Sequence, residues 1–145
     1  MINHSLIDSA VKELTRAYKA GLAFTSANAS KEYVQLQIGS SEVEIFCVMF
    51  LNTQNQLIDF KKMFTGTIDG ASVYPREIVR EALLLNAKSI IVAHNHPSGI
   101  LEPSNADKRI TRRIIEACNV LDINLLDHIL VSKLGAMSFA ERGML

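Results

Sequence analysis

The stretch Ser89-Ile90-Ile91-Val92-Ala93-His94-Asn95-His96-Pro97-Ser98-Gly99, with Pro103-Ser104-Asn105-Ala106-Asp107 close behind it, decides the reading of this chain. Ser89 to Ala93 is short, apolar and β-branched, as a buried strand is. Continued through His94, the strand sets His94 and His96 two residues apart on one face. Their Cα atoms then stand about 6–7 Å apart, within reach of one ion. Pro97 and Gly99 break the strand and turn the chain. A helix begins at Pro103-Ser104, and Asp107 falls in its first turn, where a carboxylate swings back toward the histidines. Two imidazoles and a carboxylate make a three-ligand site with a fourth position open, the pattern of catalytic zinc. The same donors suit other first-row divalent metals.

Ser104 and Asp107 also read as a capping box, with the serine capping the helix and the acid favouring its N-terminal dipole. The adjacent H-x-H tips the Asp107 side chain toward ligation, on the expectation that it cannot be fully committed to both tasks.

Along the rest of the chain, helix and strand signals alternate. Ile7, Ala10, Val11, Leu14, Ala17, Tyr18 and Leu22 predict an amphipathic helix from about Ser5 to Ala23. Residues 26–30 read as a loop, and the alternation of Tyr33 to Ile38 as a strand. Glu44 introduces an apolar strand to Leu51, Asn52 to Gln56 is a turn, and Leu57 to Phe60 pairs back as a hairpin. A further strand is expected near Thr65 to Ile68 or in Ala71 to Tyr74. Pro75 opens a helix that buries Ile78, Val79, Ala82, Leu83 and Leu85 and closes at Asn86. Another helix runs from Asn105 to about Leu121, and Ile123 to Leu126 with Ile129 to Val131 supply one or two final strands. The fold class is α/β (mixed α+β): a central mixed sheet flanked by helices.

At 145 residues the chain is one domain of ordinary size, able to bury roughly two-thirds of its unfolded surface. With 48% hydrophobic and 21% charged residues it is a soluble globular protein rather than a disordered one. Its formal net charge of +0 argues against a nucleic-acid binder, which shows a basic excess or stripe. Lys61-Lys62 and Arg112-Arg113 read as solvated pairs. No secretory signal is visible, and the apolar run Ile45 to Leu51 is far too short to span a bilayer. Cys47 and Cys118 have no C-x-x-C partner and read as buried free thiols in a reducing cytoplasm.

The pattern H-x-H-P-x-G with S-x-x-D a few residues on resembles the zinc-binding motif of the JAMM (JAB/MPN) metalloprotease superfamily. The resemblance extends to its RadC-like branch through Glu44 to Asn52, Phe64 to Ile68, Pro75-Arg76-Glu77, His94 to Gly99, Ser104 to Asp107 and Asp127-His128. It covers the chain from about residue 40, dividing it into an N-terminal helix and linker extension (1–39) and a RadC-like JAB/MPN domain (40–145) of cytidine-deaminase-like architecture. What the resemblance implies is a zinc-dependent metallopeptidase or isopeptidase with one zinc per chain and a protein or peptide substrate. His94, His96 and Asp107 match the metal ligands. Ser104 matches the serine that helps hold the tetrahedral intermediate, and Glu44 matches the glutamate that activates water. Glu42, on the same face two residues earlier, fits that spacing less well. Tyr74 stands where relatives often have histidine.

Other residues keep plainer readings. Arg76 and Glu77 open a helix, as structural or substrate-groove residues. Asp127-His128 reads as an ordinary strand feature or as a pair orienting a metal-bound histidine. His4 lies near a terminus. Two further functions compete: a DNA-repair-associated accessory, which the neutral charge does not favour, and a metal-stabilised interaction module without turnover. A deaminase is excluded, since no P-C-x-x-C follows an H-x-E.

Overall fold

The computed structural model describes residues 3–66 and 72–145. Among these residues four helices and five strands follow in order: α1 (His4–Lys19), α2 (Ala27–Ile38), β1 (Ile45–Leu51), β2 (Leu57–Thr65), α3 (Pro75–Leu84), β3 (Ser89–Asn95), α4 (Asn105–Val120), β4 (Asn124–Ser132) and β5 (Gly135–Ser138). The strands form one mixed sheet in the order β2-β1-β3-β4-β5. Only β3 and β4 run parallel; the other neighbours are antiparallel. The α4 crossover provides the long connection that a parallel pair needs.

Strand parity divides the core into two layers. Cys47, Met49, Leu51, Ile91, Ala93, Ile129 and Val131 pack on one face with Tyr18, Phe24, Tyr33, Val34 and Ile38 of the α1–α2 region. Phe46, Val48, Phe50, Ile90 and Val92 pack on the other with Ile78, Val79 and Ala82 of α3 and Ile110, Ile114 and Cys118 of α4. A continuous apolar run in β1 and β3 is therefore what a strand covered on both faces requires. His94 and His128 continue the second face, under α4.

Several expectations meet the structure closely. α3 has Pro75 at its start and buries Ile78, Val79 and Ala82, and Asn86 ends it in the left-handed region with φ of 53°, but Leu83 is exposed rather than buried. β2 continues beyond Phe60 to Thr65. The strand sought near Thr65 to Ile68 or Ala71 to Tyr74 falls partly on residues 67–71, outside those described; its start, Thr65, is the end of β2. α1 stops at Lys19 rather than near Ala23, because Gly21 takes a φ of 124° that a helix cannot continue.

The segment read as loop and strand is instead one helix, α2. Ser26 caps it, accepting a hydrogen bond from the Ala29 amide at 3.2 Å. Ser30, Tyr33, Val34 and Ile38 form its buried stripe. Their i, i+3, i+4, i+8 spacing outweighs the short alternation of Tyr33 to Ile38. The two final strand segments merge into β4, and β5 follows from a tight return at Lys133-Leu134.

Among the described residues no helix is long and apolar enough to cross a membrane. Cys47 and Cys118 are free and fully buried. Burial raises the thiol of Cys47 and pushes that of Cys118 up to about 11. Since the thiolate is the reactive form, an aromatic disulfide reagent at pH 8 is expected to modify neither cysteine in the native protein and both in denaturant. Prompt labelling without denaturant would contradict this burial.

Candidate metal centre

β3 ends where its ladder carries His94 beneath α4. The His96 amide still donates to the Val131 carbonyl at 2.8 Å, so the chain stays in register one residue past the strand. The turn that follows needs Gly99, which has a φ of 90° and donates its amide to the His96 carbonyl at 3.0 Å. A Cβ there would also stand 3.4 Å from the Leu134 side chain. The result places both imidazoles toward the first turn of α4.

His94, His96 and Asp107 each offer a ligand atom within 4.8 Å of the others. The two Nε2 atoms are 3.1 Å apart. His94 Nε2 is 3.2 Å from Asp107 Oδ1, and His96 Nε2 is 3.2 Å from Asp107 Oδ2. Donors held at about 2.0–2.1 Å by a tetrahedral ion stand roughly 3.3 Å apart, so the triangle has the size of one face of such a site. Its chemistry fits too, because two imidazole nitrogens and a carboxylate converge, a donor set that suits a divalent cation.

The capping box and the ligand set coexist. Ser104 Oγ accepts from the Asp107 amide at 3.0 Å, and Asp107 Oδ2 accepts from the Ser104 amide at 2.8 Å. The expectation that the Asp107 side chain must choose is corrected: each carboxylate oxygen has more than one lone pair, so Oδ2 serves the cap while both oxygens face the histidines. Ser104 is exposed, and its hydroxyl accepts the cap bond through a lone pair.

Electrostatics agree with this arrangement. Burial alone would raise the pKa of Asp107, but the two imidazoles and the Ser104 amide that face its carboxylate hold it far below the usual carboxylate range. His96 is raised, chiefly by its hydrogen bond to Asp107 against the opposing effect of burial. The Ile100 carbonyl, which accepts from His96 Nδ1 at 2.8 Å, and the Glu44 carboxylate add to that rise.

Glu42 and Glu44 lie in the loop before β1 rather than on a strand. Both line a groove of about 370 Å³ with Val43, Gly66, Pro97 and Ser98. Asn95, the middle residue of H-x-H, organises that loop. Its buried side chain accepts from the Ile45 amide at 2.7 Å and donates to the Val43 and Ser41 carbonyls at 3.0 and 3.3 Å. Strand alternation thus gives the two histidines to one face and a clamp for the Glu44 loop to the other.

Asp127 takes no part beside the histidines. Its carboxylate accepts from the His128 and Ala140 amides at 2.7 and 3.0 Å and from the Ser138 hydroxyl at 2.5 Å, tying β4 to the chain around β5. His128 itself reaches the site, with Nε2 2.8 Å from His94 Nδ1 and Nδ1 2.6 Å from Thr111 Oγ1. Burial, then the neighbouring His94, push its pKa well down, so it is neutral. Arg76 lies over the Tyr74 ring at 5.5 Å and 3.8 Å from Glu77, at the exposed start of α3. Thr111 escaped the reading of the sequence. The available signal was its spacing, one helical turn beyond Asp107 on the same face.

A model of the RadC-like JAB domain matches residues 24–144. A UPF0758 protein of Vibrio cholerae is 48% identical over 142 residues, 98% of this chain and 89% of the relative. A second from the same organism is 46% identical over 98% of this chain and 90% of its own length. A UPF0758 protein of Saccharophagus degradans is 48% identical over 96% of this chain, which spans 62% of that longer relative. With the family model covering most of its length and these identities running along nearly all of it, the chain belongs to the RadC-like JAB domain family.

Proposed function

We propose that this protein is a zinc-dependent hydrolase of peptide-type amides, with His94, His96 and Asp107 holding one ion. The observation that carries the reading is the convergence of two imidazole nitrogens and a carboxylate within 4.8 Å, beside a groove walled by Glu44. Zinc in such a site supplies a Lewis acid that activates water and polarises the amide carbonyl. Glu44 then acts as the base, taking the proton of the attacking water and returning it to the departing amine. The charge it exerts on His96 supports its nearness to the reacting position. Ser104 donates its hydroxyl proton to the oxyanion, since its cap bond occupies only a lone pair. Asn95 keeps the Glu44 loop in register with the histidines. Glu44 is favoured over Glu42 because Glu44 is half-buried and adjoins the first residue of β1, whereas Glu42 is exposed.

The test is cleavage of a proteome-derived peptide library by the zinc-loaded protein, with new termini read by mass spectrometry. Glu44→Gln is expected to lower cleavage by about 100-fold or more while zinc content stays at the wild-type level, in line with the loss of a general base. Wild-type rates in Glu44→Gln would remove Glu44 from the mechanism. No cleavage by zinc-loaded wild type across peptide and isopeptide substrates would remove the hydrolase reading.

A further inference from the structure

We infer that Thr111 and His128 are positioning residues that set the tautomer of His94 and lock it to the helix carrying Asp107, through a ring of four buried residues. The inference rests on the metal site proposed above and concerns how the protein prepares it.

The direction of the three hydrogen bonds in the ring follows from one carbonyl. The Asp107 carbonyl only accepts, and it lies 2.7 Å from Thr111 Oγ1, so the single hydroxyl proton of Thr111 goes there. Thr111 Oγ1 therefore accepts from its other neighbour, His128 Nδ1, at 2.6 Å. His128 is fully buried and neither of its ring partners is a carboxylate, so it carries one ring proton; held on Nδ1, that proton leaves Nε2 bare to accept from His94 Nδ1 at 2.8 Å. His94, protonated on Nδ1, then presents the lone pair of Nε2 to Asp107 and His96. Asp107 Oδ1 stands 3.2 Å from that nitrogen and closes the ring as a contact across the place of the ion, with no proton in it.

Nothing in the ring is free to rotate. His94, Thr111, Asp107 and His128 are 1%, 1%, 4% and 0% exposed. The His128 ring stacks on Phe139, with centroids 4.3 Å apart and planes at 10°, and meets Phe46 edge-on at 5.7 Å. Phe46 also stacks with His94 at 6.1 Å. Reversing the Thr111 hydroxyl would leave two oxygens facing each other at 2.7 Å with no proton between them, point a proton from His128 Nε2 at His94 Nδ1 and force the His94 proton onto Nε2. The hydroxyl of one threonine thereby selects the ligand form of a histidine that it does not touch. His96 reaches the same form by a separate route, donating from Nδ1 to the Ile100 carbonyl.

Partners that orient metal-bound histidines typically contribute about 10–100-fold to metal affinity. Thr111→Val keeps the volume and removes the hydroxyl; Thr111→Ser restores the hydroxyl. His128→Gln keeps an acceptor near the position of Nε2, whereas His128→Leu removes it. Two measurements are made on the full chain: the zinc dissociation constant by chelator competition, and the tautomer of His94 in metal-free protein by long-range nitrogen–proton NMR.

The expected result is an Nδ1-protonated His94 in wild type. Thr111→Val is expected to bind zinc about 10–100-fold more weakly, with mixed His94 tautomers, and Thr111→Ser to restore both. His128→Leu should match or exceed the loss in Thr111→Val, and His128→Gln should recover part of it. Unchanged zinc affinity in folded Thr111→Val would overturn the inference. So would an Nε2-protonated His94 in wild type, or a loss that Thr111→Ser does not restore. Failure of the ring alone leaves tight wild-type zinc binding in place. Failure of the metal site shows as a wild type that binds no zinc whatever the His94 tautomer, and it removes the purpose assigned to the ring.

Discussion

Asp107→Asn is expected to abolish stoichiometric zinc in the purified protein while the domain still unfolds cooperatively. The carboxylate is the only anionic member of the donor triangle, and its two oxygens face the two histidines at 3.2 Å each. Its loss removes a ligand outright, so the fall in affinity should exceed the about 10–100-fold that follows from loss of an outer partner. Asparagine is preferred to alanine because the residue also closes the capping box. An amide oxygen still accepts from the Ser104 amide, whereas alanine would add the cost of a lost cap, about 0.5–2 kcal/mol, to any effect on the metal.

The metal-free protein supplies a control through the same pair. His96 is raised, so the stability it contributes is full below its unfolded pKa near 6.5 and fades as pH rises through the raised value. Asp107 is lowered, so its contribution is full above about pH 4 and fades on acidification. Without zinc, wild type should exceed Asp107→Asn in stability most clearly between about pH 4 and 6.5, and the gap should narrow at higher pH. Metal analysis and thermal melting check both parts. One zinc per chain in Asp107→Asn at wild-type affinity would refute the three-ligand site.

This centre was legible in the sequence to the extent that its geometry is local. Parity along β3 puts His94 and His96 on one side, and a proline-led helix start fixes where Asp107 falls. The ring behind it was not legible, because Thr111 meets His128 only when α4 lies across β4. Nothing near Thr111 distinguishes it from an ordinary helical residue facing the core, and Asp127 looked the better hydrogen-bond partner by charge alone. β5 escaped for a similar reason: four residues pair only because β4 offers an edge. α2 failed differently. Tyr33, Val34 and Ile38 all favour strands, and the small polar residues before them resemble a loop. Their helical stripe becomes decisive only against the sheet face lined by Ile129 and Val131.

That placement makes Tyr33→Ala the substitution expected to destabilise the fold most among those considered, by about 3–5 kcal/mol. Tyr33 is fully buried, and its ring meets Tyr18, Phe24 and Phe60 at centroid distances of 5.6, 5.5 and 5.6 Å, all edge-on. It therefore joins α1, α2, the link between them and β2. Its hydroxyl shares a 2.7 Å hydrogen bond with Thr15 and accepts from Gln37 Nε2 at 3.0 Å. Tyr33→Phe isolates that polar part and should cost about 1 kcal/mol, since Thr15 and Gln37 are only partly buried and regain water. The difference between the two variants reports ring packing and the cavity left behind. Urea denaturation measures both, and zinc content of the folded fraction should not change, because the donor triangle lies on the opposite face of the sheet. A loss below about 1 kcal/mol in Tyr33→Ala would mean that α2 sits on the domain without belonging to its cooperative core. A loss of the expected size accompanied by wild-type zinc content would separate the layer that stabilises the sheet from the layer that carries the proposed metal centre.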